Sequence, residues 1–195
     1  NEVITMIEEK TKYLKYILNN TLDISSIDVN NIKINNTVYN PHKFFVDIQK
    51  KTEYKVKDNK NIKLNFNTNN NMPDNLYGDS VKLKQVIISL INNAIKYTEN
   101  GEISINIDCI YRYDICRLII RIKDTGKGMN LEKINELLMT NESITVEEIN
   151  KLDNIDVDLK LSLKIVKLLG GIINIKSNVG NGTEFTIILD QKVDR

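Results

Sequence analysis

The sequence has no tryptophan, two prolines, two cysteines and a single histidine among 195 residues. One histidine excludes a multi-histidine active site or a histidine-based metal centre. Cys109 and Cys116 lack metal-site spacing and are too few for a disulfide framework. They read as incidental thiols of a reducing compartment. No run of about 18 apolar residues occurs, so no membrane span is expected. No basic stretch leads into an apolar one near the start, so no signal peptide is expected. The formal net charge of +1 gives no electrostatic reason to expect nucleic acid or an anionic membrane surface.

What is present fits one ordinary domain with an appendage, or two small domains. Such a chain buries roughly 70% of its unfolded surface, enough for a core without staples. About one residue in seven is asparagine, and isoleucine is the commonest apolar residue. AT-rich codons account for both, so Asn69-Asn70-Asn71 carries no prion-like meaning. No internal repeat is visible.

Residues 2–28 read as a helix. Val3, Ile7, Lys10, Leu14, Ile17, Thr21 and Ile24 alternate at spacings of four and three, and five of these seven are apolar. Such a seam packs on its own domain or pairs with another helix. From 29 to 41 the helical period is lost and the chain reaches Asn40-Pro41, a linker or the first strand of the next unit. A short helix is expected over His42 to Lys51 and a half-buried strand over Lys63 to Asn67. Ser80 to Tyr97 carries apolar residues over a wide helical face. Ile103, Ile105 and Ile107 alternate, as do Leu118, Ile120 and Ile122, giving two strands of a hairpin. A helix over Ser162 to Leu169 ends at Gly170-Gly171, a C-cap signal. Strands over Ile173 to Lys176 and Glu184 to Leu189 flank a turn at Gly180-Asn181-Gly182. Helices and strands mix without strict βαβ alternation, which favours an α+β layered domain.

All eight glycines lie after residue 77. Asp124-Thr125-Gly126-Lys127-Gly128-Met129 follows directly on the strand ending at Ile122. A carboxylate at a strand end accepts hydrogen bonds, and the glycines let backbone approach a ligand closely; the same run also suits an ordinary turn. The helix at 80–97 carries Asn92, Asn93, Lys96 and Tyr97 on its last turns. Asparagine is a poor interior helix residue. The pair is either a frayed cap or a set of polar groups facing a pocket, where Asn offers Mg²⁺ an oxygen and Lys offers phosphate a point charge. Together with the Gly180-to-Thr183 hairpin, these features suggest a nucleotide site.

The sequence here resembles the ATP-binding catalytic domain of sensor histidine kinases, within the wider class of Hsp90, gyrase and MutL. Gly78-Asp79-Ser80, Leu83, Gln85 and Asn93-Ala94-Ile95-Lys96-Tyr97-Thr98 match the asparagine-box helix. Glu99-Asn100-Gly101-Glu102-Ile103 matches the turn and strand after it. Asp124 to Met129 matches the first glycine box and Gly180 to Phe185 the last. The resemblance covers about 73–190. It implies a two-layer α/β sandwich, the Bergerat ATP-binding fold, with a mostly antiparallel sheet covered on one face by helices. It implies that Asp124 binds the adenine amino group with Thr183 assisting, that Asn93 holds Mg²⁺, that Lys96 contacts phosphate and that Tyr97 lines the pocket. Gly126, Gly128 and Gly182 would let the backbone pass close to the nucleotide. Residues 1–28 resemble the second helix of a dimerisation hairpin, with Leu22 to Ile27 at its end. The chain is then expected to begin partway through that hairpin, without the phospho-accepting histidine, since His42 does not match the acceptor motif. The implied organisation is 1–28 dimerisation helix, 29–41 linker and 42–195 catalytic-type domain, with a lid over about 130–160 of low local stability.

Three departures accompany the matches. Ser89 stands where Hsp90-type ATPases have a water-activating Glu and most histidine kinases an Asn, and serine is no strong general base. The second glycine box, whose amides wrap the triphosphate near a helix N-terminus, is replaced by Asn154-Ile155-Asp156-Val157-Asp158-Leu159. Asn154, Asp156 and Asp158 occupy the three glycine positions. Two unit charges at ~4 Å interact by about 4 kcal/mol at an effective dielectric of ~20, and half of that per aspartate lowers triphosphate affinity ~100-fold or more. An aspartate there also suits a helix N-cap or an extra cation. The lid lacks the expected Phe-rich motif over Leu131 to Thr145. The resemblance therefore implies a histidine kinase catalytic-core fragment of a two-component phosphorelay, in one of two conditions. Either its triphosphate lid is degraded and it acts as a pseudokinase, or it is an active Mg-ATP-dependent kinase whose acceptor histidine lies elsewhere. The implied cofactors are ATP and Mg²⁺. The implied partners are a homodimer or heterodimer mate through the N-terminal helix and a response regulator or other kinase. The expected setting is cytoplasmic, as the inner part of a larger sensor.

Overall fold

Period-two isoleucines build the centre of a single sheet. In the computed structural model the described residues are 32–57, 61–69, 71–138 and 154–194, with side chains described from 158 onward in the last stretch. The seam at 2–28 and residues 139–153 of the expected lid lie outside them. Chain order is β1 (Thr37–Tyr39), α1 (Pro41–Val56), β2 (Ile62–Thr68), β3 (Leu76–Gly78), α2 (Ser80–Tyr97), β4 (Gly101–Arg112), β5 (Ile115–Asp124), α3 (Leu131–Leu138), α4 (Asn154–Leu168), β6 (Ile172–Ser177) and β7 (Thr183–Val193).

The strands run β1-β3-β7-β5-β4-β2, with β6 also on β7. All pairs are antiparallel except β2 with β4. One edge of β7 takes β5; the other takes β6 along its first half and β3 at Lys192 and Val193. Alternation then sorts the two faces. Ile103, Ile105, Ile107, Leu118, Ile120, Ile122, Phe185, Ile187 and Leu189 are buried on one face. Phe45 and Ile48 of α1, Leu83, Val86 and Leu90 of α2, and Ile165 and Val166 of α4 join the same core. The opposite face is more exposed: Ile119, Ile172 and Ile188 lie side by side on it, Arg117 forks onto Asp190 (both bonds 2.7 Å) and Arg121 reaches Asp108. The architecture is the expected two-layer α/β sandwich, helices on one face of a mostly antiparallel sheet.

Helix starts follow their caps. Asn40 Oδ1 accepts the Lys43 N–H (2.8 Å), and Pro41 takes the first helical position, where its missing donor costs nothing. The helix expected from His42 therefore begins one residue earlier and runs on to Val56. Asp79 caps α2: Oδ1 accepts the Lys82 N–H (2.9 Å) and Oδ2 accepts the Asn35 N–H (2.8 Å). That second bond ties the entering chain to the head of α2. Residues 37–39, expected as linker or first strand, form an edge strand against β3. At the other end, Gly170 takes φ +77°, and the Gly171 N–H reaches back to Val166 O (2.9 Å), closing α4 as a Schellman motif.

Within the stretch expected as a lid, 131–138 is helix α3, with Ile134 and Leu137 buried one turn apart. Asn130 caps it through Lys133 N–H (2.9 Å). Helix α4 begins at Asn154 rather than Ser162. With no glycine in the replaced box, nothing holds the chain out of helical geometry there.

Candidate functional site

The carboxylate at the end of β5 organises the site. Asp124 is 5% exposed. Its Oδ1 accepts the Gly126 N–H (2.8 Å) and the Thr183 N–H (3.3 Å). Burial pushes its pKa above the usual carboxylate range, while these two bonds pull it back down. Among the described residues both bonds fall on Oδ1, so Oδ2 is the acceptor offered to a ligand.

Backbone stacks tightly behind Asp124, and this is where glycine is required. Gly182 sits at φ +78°, and a Cβ there would run into Asp124 O. A Cβ at Gly126 would run into Tyr97 O. The C-terminal end of α2, the turn after β5 and the β6–β7 turn thus meet as three layers of main chain. Lys127 N–H donates to Tyr97 O (3.2 Å), and Gly180 N–H donates to Lys127 O (2.7 Å). Ser177 pins the same corner: its Oγ accepts the Met129 N–H (2.7 Å), donates to Gly182 O (2.9 Å) and lies 2.9 Å from Thr183 Oγ1.

In front of Asp124 lies a cavity of about 470 Å³, within the ~300–1,000 Å³ of small-molecule sites. Of the residues expected at a nucleotide, Asn93, Tyr97, Asp124, Gly128 and Thr183 line it. Gly126 and Gly182 stand behind its wall. The two asparagines of α2 separate. Asn93 faces the cavity, and its Nδ2 is buried with no hydrogen-bond partner among the described residues. Asn92 points to α1, where Oδ1 accepts from Lys55 Nζ. Lys96 is exposed and does not line the cavity; the cation over the Tyr97 ring at 4.2 Å is Lys127, whereas Lys96 stands at 5.8 Å.

Helix α3 contributes what sequence reasoning missed. Glu132, Lys133 and Glu136 line the cavity, with Lys133 paired to Glu136 at 3.5 Å. The available signal was Asn130 as a cap before Leu131, Ile134, Leu137 and Leu138 at helical spacing. Of the three lost glycine positions, the side chains of Asn154 and Asp156 lie outside the described residues. Asp158 does not line the cavity. It lines a separate hollow of about 80 Å³ between α2 and α4, with Gln85, Ser89 and Ser162. His42, which does not match the acceptor motif, rests its Nε2 3.1 Å from Met72 O.

The donor set fits a nucleotide and its cation. A buried carboxylate oxygen suits an amino group, and the orphaned Asn93 amide offers an unused polar atom at the cavity wall. Amide oxygen and nitrogen exchange by a flip, so Oδ1 can occupy the same place for a hard cation.

The family described as histidine kinase-, DNA gyrase B- and HSP90-like ATPase matches residues 78–193. The autoinducer 2 sensor kinase/phosphatase LuxQ of Vibrio parahaemolyticus is 25% identical over 97% of this chain and 22% of its own length. The signal transduction histidine-protein kinase BarA of Escherichia coli is 25% identical over 93% of this chain and 20% of its own. The chain thus spans about a fifth of these relatives. Among solved structures, the histidine kinase AdeS of Acinetobacter baumannii superposes with a TM-score of 0.69 at 18% identity, covering 100% of this chain and 86% of that one. Full-length ShkA in complex with AMPPNP superposes at 0.74 with 16% identity, covering 99% and 39%. At that identity the two superpositions speak to the fold. Among the described residues no helix is long and apolar enough to cross a membrane.

Proposed function

Since the chain belongs to the family of histidine kinase-, DNA gyrase B- and HSP90-like ATPases, we propose that it is the ATP-binding part of a histidine kinase in two-component phosphorelay signalling, with a weakened triphosphate end. The observation that carries the nucleotide reading is Asp124, buried at the cavity with one oxygen held by two main-chain amides and the other offered outward. Such a group recognises an exocyclic amino group and rejects a carbonyl at the same place, because it can only accept. Thr183 supports it from β7. Tyr97 and Leu159 supply apolar wall, and Gly128 lets the main chain form the remainder.

Asn93 would hold Mg²⁺, and a bound Mg-ATP would supply the phosphoryl group for a histidine outside this chain. The chain's own residues bind and orient. Ser89 offers no strong general base, which disfavours direct hydrolysis. The weakened end rests on two supports: the glycine box is replaced, with α4 helical from Asn154, and the charged residues on the cavity wall are Asp124, Glu132 and Glu136 against Lys127 and Lys133. With Asp124 taken up by the amino group, Glu132 and Glu136 balance Lys127 and Lys133, so this wall offers a triphosphate no net positive charge. Lys127 lines the cavity and Lys96 does not, which favours Lys127 as the lysine that would meet phosphate.

The partners under this proposal are a dimer mate through residues 1–28 and a response regulator or other kinase, in the cytoplasm as the inner part of a larger sensor. Titration calorimetry with ATP and ADP, each with and without Mg²⁺, tests the reading. ADP binding at least as tight as ATP is the expected result. Micromolar Mg-ATP binding with ADP weaker would overturn the weakened triphosphate end and leave the alternative, an active kinase, for which the intact Asn93 and Asp124 speak. No binding of either at millimolar concentration would overturn both.

A further inference from the structure

Helices α1 and α2 run parallel, as two side-chain links show. Lys84 of α2 pairs with Asp47 of α1, and eight residues further along each helix Asn92 accepts from Lys55. Their seam opens outward, away from the sheet, as a groove of about 540 Å³. Its apolar floor is Tyr54, Val81 and Ile88, with Tyr54 78% and Val81 74% exposed. Lys50, Lys51, Lys55 and Lys84 stand along it, and no acidic residue lines it. Asp47, at its head, is shared by Lys51 and Lys84.

The entering chain arrives at the head of this groove. Ile32 packs against the core, and the Asn35 N–H is held by Asp79 at the cap of α2. Val81 lies two residues beyond that cap. Just upstream, Leu22-Asp23-Ile24-Ser25-Ser26-Ile27-Asp28 combines three apolar residues with two carboxylates and no cation. Four residue steps join Asp28 to the packed Ile32 and reach up to ~14 Å. The groove from Val81 to Ile88 is ~10 Å long. The tether is therefore long enough to lay 22–28 along the groove of the same chain.

We propose that residues 22–28 dock in the α1–α2 groove, with Leu22, Ile24 and Ile27 against Tyr54, Val81 and Ile88, and Asp23 and Asp28 among the four lysines. This contact fixes the orientation of the N-terminal segment on the catalytic-type domain and is independent of nucleotide binding. The apolar floor supplies the attraction, and the charges select an acidic segment in one register.

Carbodiimide cross-linking of the full chain, with peptide mapping of the monomer fraction, tests it. The expected products join Asp23 or Asp28 to Lys50, Lys51, Lys55 or Lys84 within one chain. Val81→Asn and Lys84→Glu are expected to lower the yield of these products at least fivefold. Circular dichroism melting checks that both variants stay folded; Val81 is exposed, so its replacement leaves the core intact. Three results would overturn the proposal: cross-links only between two copies, cross-links spread equally to Lys96 and Lys123, or yields unchanged in both folded variants.

Discussion

At the scale of single residues, Asp124 carries opposed demands. Its burial disfavours the ionised form, yet the ionised form is the acceptor the cavity needs. Asp124→Asn keeps an oxygen for the Gly126 and Thr183 amides and turns the outward atom from acceptor to donor. Nucleotide affinity is expected to fall by about 10–100-fold, the loss of a hydrogen bond to a charged group. Thermal stability is expected to hold or rise, because a buried charge is removed. Calorimetry and a melting curve on one sample check both. The pH dependence follows from the raised pKa. As pH falls through that folded value, Asp124 protonates and nucleotide affinity drops, at a higher pH than an ordinary carboxylate would cause. Stability moves the other way over the same window, since protonation relieves the buried charge in the folded state before the unfolded state takes up its proton. The Asn variant is expected to flatten both profiles. Gly182→Ala meets a left-handed φ and the Asp124 carbonyl together. A loss of at least ~2 kcal/mol is expected, measured by urea unfolding.

At the scale of elements, the β4–β5 hairpin has a locally strained turn. Arg112 pairs with Ile115, leaving Tyr113 and Asp114 as a two-residue loop, and Tyr113 sits at φ +57°. That conformation costs a non-glycine residue about 1–2 kcal/mol. Tyr113→Gly relieves it but adds about 0.5–1 kcal/mol of backbone entropy to the unfolded state. The net expectation is a gain of about 0.5–1 kcal/mol, seen as a higher denaturation midpoint at constant slope. Tyr113 is far from the cavity residues in sequence and on none of its walls, so nucleotide binding should not change. Helices α3 and α4 show a different logic. Both begin where a glycine-poor stretch meets buried apolar positions, so the chain after the first glycine box and the chain around Asp158 are helical rather than looped.

Across the whole molecule, ligand binding is coupled to stability by mass action. A nucleotide at 100 times its dissociation constant adds ~2.7 kcal/mol, which raises the melting temperature of a domain of this size by about 5–10 °C. At equal concentration ADP is expected to raise it at least as much as ATP, and Asp124→Asn to cut both shifts by about half or more. A scanning-fluorimetry series without and with Mg²⁺ reads this out. An ATP shift well above that of ADP would remove the case for a weakened triphosphate end.

What could be read from the sequence was whatever depends on nearby residues. The isoleucine alternation at 103–107 and 118–122 marked the two central strands, because a period of two has one meaning on a half-buried sheet. Helix α2 was legible from end to end, since its apolar face spans five turns between Asp79 and Thr98. The glycine boxes were legible because only glycine tolerates the main-chain crowding behind Asp124. Tertiary structure decided where side chains on the same helix point. Asn92 and Asn93 are adjacent in sequence, yet 100° of helical rotation sends one to Lys55 and the other into the cavity. The same rotation leaves Lys96 outside while the turn after β5 brings in Lys127. Asp158 is turned toward α2 and Ser89 by the packing of α4, which no local pattern encodes. The acids of α3 reach the cavity only because that helix folds back over it. Local sequence sets which conformations the backbone can take, but the charge around a cavity is a sum over elements distant in the chain, and only their packing assembles it.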